Sequence, residues 1–317
     1  MSLGGGGTDL PSYYKDHGGF FISAALNKYM YIAVNRRFEP GLRISYSQTE
    51  IVNLPEEVRH PSIRESLKLV GIKDGIEIVS IADAPASTGL GSSGSFTVGL
   101  LNALYAYQRI TKTHKEIAEE ACDIAMNRLH EPSGKQDEYA ASFGGIMAYH
   151  VERDGYVKVE DMKLRDDVIA ELESNLLMFF TGIKRNSSEV LSKQQREVSK
   201  QGHASEKMDR IKEIGFESKK ALERGDLERF GELLDEHWTV KRGVTDNMSS
   251  TSIDHWYSIA KENGAIGGKV MGAGGGGFLM LYCGNGRQKL RSVLSKEGLV
   301  EYRFRFDFEG SKVVHNV

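Results

Sequence analysis

Asp83-Ala-Pro-Ala-Ser-Thr-Gly-Leu-Gly-Ser-Ser-Gly-Ser-Phe96 is a glycine- and serine-rich loop between a strand-like run, Ile76-Glu-Ile-Val-Ser-Ile81, and a helix-like run from Phe96 to Ile110. A strand, a flexible loop and a helix in that order can hold phosphate. Gly89, Gly91 and Gly94 let backbone approach an anion, and the free N–H groups and dipole of the first helical turn favour negative charge there. Ser92 and Ser93 add hydroxyls suited to a phosphate oxygen or a magnesium ion. Gly-Ser clusters taken alone are more often turns or linkers. Gly89-Leu-Gly-Ser-Ser-Gly94 also fits the dinucleotide pattern G-x-G-x-x-G, but Pro85 and its neighbours separate strand from glycines and no acid-ending strand follows. A G-x-x-x-x-G-K-[ST] loop is absent from the chain.

Two further glycine clusters lie far from this one. Gly4-Gly-Gly-Gly-Thr-Asp-Leu-Pro11 has the composition of a linker in its first half, yet a linker gives no reason for Thr8-Asp9-Leu10-Pro11. Gly267-Gly-Lys-Val-Met-Gly-Ala-Gly-Gly-Gly-Gly-Phe278 leads into the apolar run Phe278 to Cys283, which reads as a buried strand. Four successive glycines before a core strand cost chain entropy and add no packing, so close approach of another backbone or a ligand is expected. A fourth segment, Glu131-Pro-Ser-Gly-Lys-Gln-Asp-Glu138, puts Asp137 after a Pro-Ser-Gly turn, where a carboxylate can be aimed by a rigid loop. An isolated Asp in a turn usually bonds its own backbone.

Together, Pro85-x-x-x-Gly-Leu-Gly-Ser-Ser93, Gly6-Gly-Thr-Asp9, Pro132-Ser-Gly-x-x-Asp137 and Gly272-Ala-Gly-Gly-Gly-Gly-Phe278 resemble the motifs of the GHMP kinases. Within that superfamily the chain is most similar to the D-glycero-D-manno-heptose 7-phosphate kinases, through Gly4 to Pro11, Ser80-Ile-Ala-Asp83, Gly134-Lys-Gln-Asp137, Thr181-Gly-Ile-Lys-Arg185, His237-Trp-Thr-Val-Lys-Arg242 and Phe304-Arg-Phe-Asp-Phe308. The resemblance implies an ATP- and magnesium-dependent kinase of the α+β class, acting on the anomeric hydroxyl of a sugar phosphate in the cleft between two domains. On that reading Gly89, Gly91, Ser92, Ser93 and Gly94 wrap the ATP phosphates, and Ser93 lies near the metal. Asp137 faces the hydroxyl being phosphorylated. Thr8, Asp9 and the glycines Gly274, Gly275 and Gly276 meet the substrate. Lys184 and Arg185, at the end of the run from Phe179 to Ile183, are candidates for gripping its phosphate, Arg in a bidentate way.

Two positions depart from the family pattern. Related kinases carry a magnesium-binding Glu on the helix before the Pro-Ser-Gly turn, and an ungapped count from Pro132 puts Ala125 there. The metal would then rely on Ser93, phosphate oxygens and water, unless another acid such as Asp123 substitutes. The family also carries a short strand with an Arg just ahead of the segment matching Ser2-Leu3-Gly4; this chain, starting at Met1, has neither, so that strand is trimmed or absent. These departures leave open a catalytically weak ligand sensor, or a kinase for another sugar or small alcohol.

Composition agrees with an intracellular enzyme. The 317 residues allow one large or two ordinary domains, and a formal net charge of −3 provides no basic stripe for nucleic acid. Cys122 and Cys283 are isolated, without metal or disulfide spacing. No apolar run is long enough for a membrane and no signal peptide precedes the glycines, so a cytoplasmic protein is expected. Thr113 with Glu116 forms a capping box ahead of Ile117, Ala121, Ile124 and Arg128 at helical spacing. Strands are expected at 145–149, 156–159, 176–180 and, from its alternation, 302–308. Gly225-Asp226 reads as a helix stop followed by an N-cap, with Leu227, Phe230, Leu234 and Trp238 on one apolar face, and 252–263 as a helix closed by Gly264. Strands and helices mixed without a strict βαβ repeat argue α+β. The expected boundary separates an ATP-binding domain, 1–165, from a C-terminal domain, 166–317.

Overall fold

The computed structural model describes residues 1–85, 88–184, 187–200, 202–245 and 248–316. The chain begins with β1 (Ser2–Gly4), α1 (Pro11–His17), β2 (Gly19–Ala24), β3 (Met30–Arg36), β4 (Leu42–Ser45), β5 (Thr49–Val52), α2 (Pro61–Val70) and β6 (Ile76–Ala82). It continues through α3 (Ser92–Tyr107), α4 (His114–Asp123), α5 (Gln136–Phe143), β7 (Ile146–Val151), β8 (Val157–Asp161), α6 (Asp166–Asn175) and β9 (Leu176–Phe180). The last part holds α7 (Ser187–Ser199), α8 (His203–Arg224), α9 (Leu227–Arg242), α10 (Thr251–Glu262), β10 (Gly267–Val270), β11 (Phe278–Tyr282), α11 (Arg287–Lys296) and β12 (Val300–Glu301). Among the described residues the strands form three four-stranded sheets, ordered β1-β2-β7-β8, β3-β6-β4-β5 and β10-β11-β9-β12. Only β4 and β6 pair in parallel. The α+β class is as expected, and no described helix is long and apolar enough to cross a membrane.

β11 shows why its sequence is apolar at every position. Phe278, Met280 and Tyr282 enter a core built with Phe20 and Ile22 of β2 and Phe230 and Leu234 of α9, whereas Leu279 and Leu281 enter a second core with Ile253, Leu290 and Leu294. A strand covered on both faces has no solvent side to carry polar residues. Its partner β9 pairs antiparallel from Phe278–Phe180 to Tyr282–Leu176. α8 and α9 pack together between the sheets, joined as expected: Gly225 adopts φ 73° to end α8, and the Asp226 carboxylate accepts from Arg229 N to cap α9. Thr113 and Glu116 form the expected capping box of α4.

Two expectations need correction. The segment 302–308 is not a strand: Val300–Glu301 pair with β9, after which the chain bridges elements, with Tyr302 N donating to Met178 O, Asp307 N to Ala25 O and Gly145 N to Asp307 O. Alternation marked its half-buried side chains, but no single neighbour runs alongside it long enough for a ladder. Ser2–Gly4 itself forms β1, paired with β2. α3 begins at Ser92 rather than Phe96, because Gly91, at φ 70°, turns the loop directly into the helix.

Candidate active site

The glycine loops are brought together by contacts that leave no room for a Cβ. A Cβ on Gly91 would lie 2.9 Å from Asp137 Cγ, and one on Gly94 would lie 3.0 Å from Asp137 Cβ, so the start of α3 rests directly on the start of α5. Gly89 and Gly272 meet in the same way: a Cβ on the first would be 2.7 Å from Met271 O, and on the second 2.7 Å from Gly89 Cα. Both sit at positive φ, 85° and 67°. The C-terminal glycine run therefore closes backbone-to-backbone on the phosphate-type loop. Between them and the N-terminal glycines opens a cavity of about 1140 Å³.

Gly89, Gly91, Ser92, Ser93, Gly94, Asp137, Asp9 and Lys184 all line it. Asp137 is in the first turn of α5 rather than in a free turn. Asp9 accepts from Gly7 N at 3.0 Å and from Gln136 N at 2.9 Å, tying the N-terminal glycines to α5. The other expected residues lie elsewhere. Thr8 is fully buried, its hydroxyl shared between Gly5 O and Phe20 O while accepting from Phe20 N, so it braces the loop on β2 instead of facing the cavity. Gly274, Gly275 and Gly276 pack on protein: Gly275 N donates to Met248 O, a Cβ on Gly274 would meet the same carbonyl, and one on Gly276 would lie 2.8 Å from Ile183 Cγ2. Gly272 and Ala273 face the cavity in their stead. Arg185 falls outside the described residues. A run of glycines announces close approach but cannot say which glycine meets which partner.

Two cations in the cavity wall escaped the sequence reading. Lys241 of α9 donates from Nζ to Gly272 O at 2.8 Å. Lys269, on the otherwise apolar β10, is buried with Nζ 3.4 Å from Ser2 Oγ and 3.5 Å from His237 Nδ1. Its signal was a lone lysine in a core strand just before the glycine run. Burial, aided by Lys241, pushes Lys269 well below the ordinary lysine range, and burial with both lysines does the same to His237. His237 unfolded takes a proton near pH 6.5, whereas folded it stays neutral to lower pH; stability linked to it is present above about 6.5 and lost as pH falls below. In His237→Gln, the fall in melting temperature between pH 7.5 and 5 is expected to be shallower; an unchanged profile refutes the assignment.

Asp137 makes no ion pair among the described residues. Its side chain is open to the cavity, yet desolvation by the surrounding protein pushes the carboxyl up; the Met1 amino group and Lys241 oppose that, and Asp9 reinforces it. Beside it Glu138 is pushed up to about 8 by burial and by Asp137, and burial also raises Glu131. Both glutamates line the cavity. Ala125, at the position of the missing helix acid, is buried in a π-helical turn, Ile124–Arg128. Asp123 does not substitute for that acid: its carboxylate accepts from Arg128 Nε at 2.8 Å and Asn127 Nδ2 at 2.9 Å, and it does not reach the cavity. Tyr46, His60 and Phe96 give the cavity an aromatic wall, beside Met30. The His60 ring lies 4.9 Å from Phe96 and 5.0 Å from Tyr46.

Residues 53–145 match the GHMP kinases N terminal domain and residues 218–298 the GHMP kinases C terminal domain. A D-glycero-alpha-D-manno-heptose 7-phosphate kinase of Campylobacter jejuni is 27% identical over 325 residues, covering 98% of this chain and 96% of that protein. A galactokinase of Pyrococcus furiosus is 24% identical, covering 77% of this chain and 73% of its own length. The crystal structure of a D-glycero-D-manno-heptose 1-phosphate kinase from Bacteroides thetaiotaomicron superposes with a TM-score of 0.81 at 24% identity, over 99% of this chain and 97% of that one.

Proposed function

We propose that this chain, which belongs to the GHMP kinases and hence to a family of small-molecule kinases, phosphorylates the anomeric hydroxyl of D-glycero-D-manno-heptose 7-phosphate with ATP. One observation carries the reading: a carboxylate open to the cavity, Asp137, stands where the N-termini of α3 and α5 meet.

Phosphoryl transfer passes through a loose transition state, so positioning and charge neutralisation count for more than a strong nucleophile. The N-terminus of α3 and the loop from Gly89 to Gly94 receive the ATP phosphates, and the aromatic wall around His60 and Phe96 suits the base. The sugar oxygen attacks the γ-phosphorus as the bond to the β–γ bridging oxygen breaks. Asp137 accepts the hydroxyl proton late in that step. An anomeric hydroxyl is more acidic than an ordinary alcohol, which lightens the task. Ser93, with neighbouring carboxylates, would hold a magnesium ion, which would supply charge neutralisation during transfer. Lys184 and the start of α7 with Ser187 form the sugar-phosphate end; both line the cavity there, and a helix N-terminus favours an anion. Asp9 orients sugar hydroxyls.

The test is ATP consumption with magnesium on D-glycero-D-manno-heptose 7-phosphate, the unphosphorylated heptose, galactose and mevalonate, with phosphorus NMR of the product. Turnover is expected with the heptose phosphate, yielding a new anomeric phosphate. Preference for an unphosphorylated alcohol, or phosphate elsewhere on the sugar, overturns the substrate assignment.

A further inference from the structure

Resting on the kinase reading, we infer that Glu138, together with Glu131, forms the carboxylate side of the divalent-cation site, replacing the helix acid that Ala125 lacks. Glu138 is 5% exposed and lines the cavity with Ser92 and Ser93. The charged groups acting on it are Asp137, Asp9 and Glu131, all of its own sign. Two basic residues close to it in sequence, Lys135 and Arg128, are committed elsewhere. Lys135 Nζ donates to both Glu119 carboxylate oxygens, at 2.9 and 2.8 Å, and to Gly155 O; Arg128 holds Asp123. A buried carboxylate among like charges, facing a cavity and with no ion pair among the described residues, is costly unless a cation comes to it.

Backbone geometry brings the second carboxylate to the right place. The π turn at Ile124–Arg128 ends α4, and the chain folds back so that Glu131 N donates to Ala125 O at 2.8 Å. Glu131 thus returns to the turn where the helix acid is missing. π turns within helices are frequent at functional sites. Ser93, exposed in the first turn of α3, adds a third oxygen. The donors are all hard oxygens, which suits magnesium or manganese. Among the described residues no group of three or more His, Cys, Asp or Glu could cage a metal by itself. That fits an ion bound by one or two carboxylates and completed by nucleotide phosphates.

The experiment titrates Mn²⁺, followed by loss of the free-ion EPR signal, into protein with a non-hydrolysable ATP analogue. Glu138→Gln is expected to weaken Mn²⁺ binding in the ternary complex by at least about tenfold, Glu131→Gln by less, and Asp123→Asn not at all. Thermal unfolding checks each fold, and Glu138→Asp, which keeps the charge, is expected to restore part of the affinity if Glu138→Gln proves unstable. Wild-type affinity in both Gln variants overturns the site alone. A wild-type protein that forms no ternary complex overturns the kinase reading with it.

Discussion

Asp137→Ala and Asp137→Asn are expected to abolish phosphoryl transfer, lowering kcat by about 10²–10⁴-fold, the range for loss of a general base, while ATP still binds. The carboxylate stands at the joint of α3 and α5, whereas the proposed phosphate contacts come from the backbone of 89–94 and the helix N-terminus, which neither variant alters. Removing a charge that desolvation and Asp9 disfavour should not unfold the protein, and Asn keeps the packing under Gly91, where Asp137 Cγ sits 2.9 Å from the position a Cβ would take. Melting temperature is therefore expected to hold or rise. Calorimetry for ATP and steady-state kinetics on the same samples separate the two effects. Undiminished turnover in Asp137→Asn would remove this residue from the mechanism.

Gly272→Ala is expected to act through structure. The new methyl would stand 2.7 Å from Gly89 Cα at a φ of 67°, and the carbonyl of the same residue accepts the Lys241 bond. Left-handed backbone costs an L-residue about 1–2 kcal/mol and overpacking about 1–3, so a loss of about 2–5 kcal/mol is expected. Turnover should fall further than stability implies, because a shift of about 1 Å in a reacting group costs on the order of 10²-fold. Gly284→Ala is the control, since a Cβ there meets nothing within 4 Å and its φ is not left-handed. Equal melting temperatures and equal kcat/KM for ATP in the two variants would show that the glycine loops do not depend on this contact.

Much of the molecule was legible beforehand wherever the signal is local. The cap at Asp226, the box at Thr113–Glu116 and the doubly buried runs at 176–180 and 278–282 depend on neighbours a few residues away. The 302–308 segment misled because alternation reports burial on one side, not the presence of a partner strand. Thr8 misled because a hydroxyl beside a glycine loop serves a backbone carbonyl as well as a ligand.

The sequence by itself determined the fold class and the chemistry-bearing segments: three glycine clusters and Asp137, each marked by residues whose backbone freedom or charge has few other uses. Only the tertiary structure decided which glycines touch one another, that Lys241 and Lys269 stand in the cavity wall, and that Glu138 and Glu131 face the same cavity with no ion pair among the described residues. The physical reason is separation along the chain. Gly89 meets Gly272, and Asp9 meets Gln136, across distances in sequence over which no local preference acts. What a buried charge costs, and what it can therefore hold, is set by neighbours that only folding assembles.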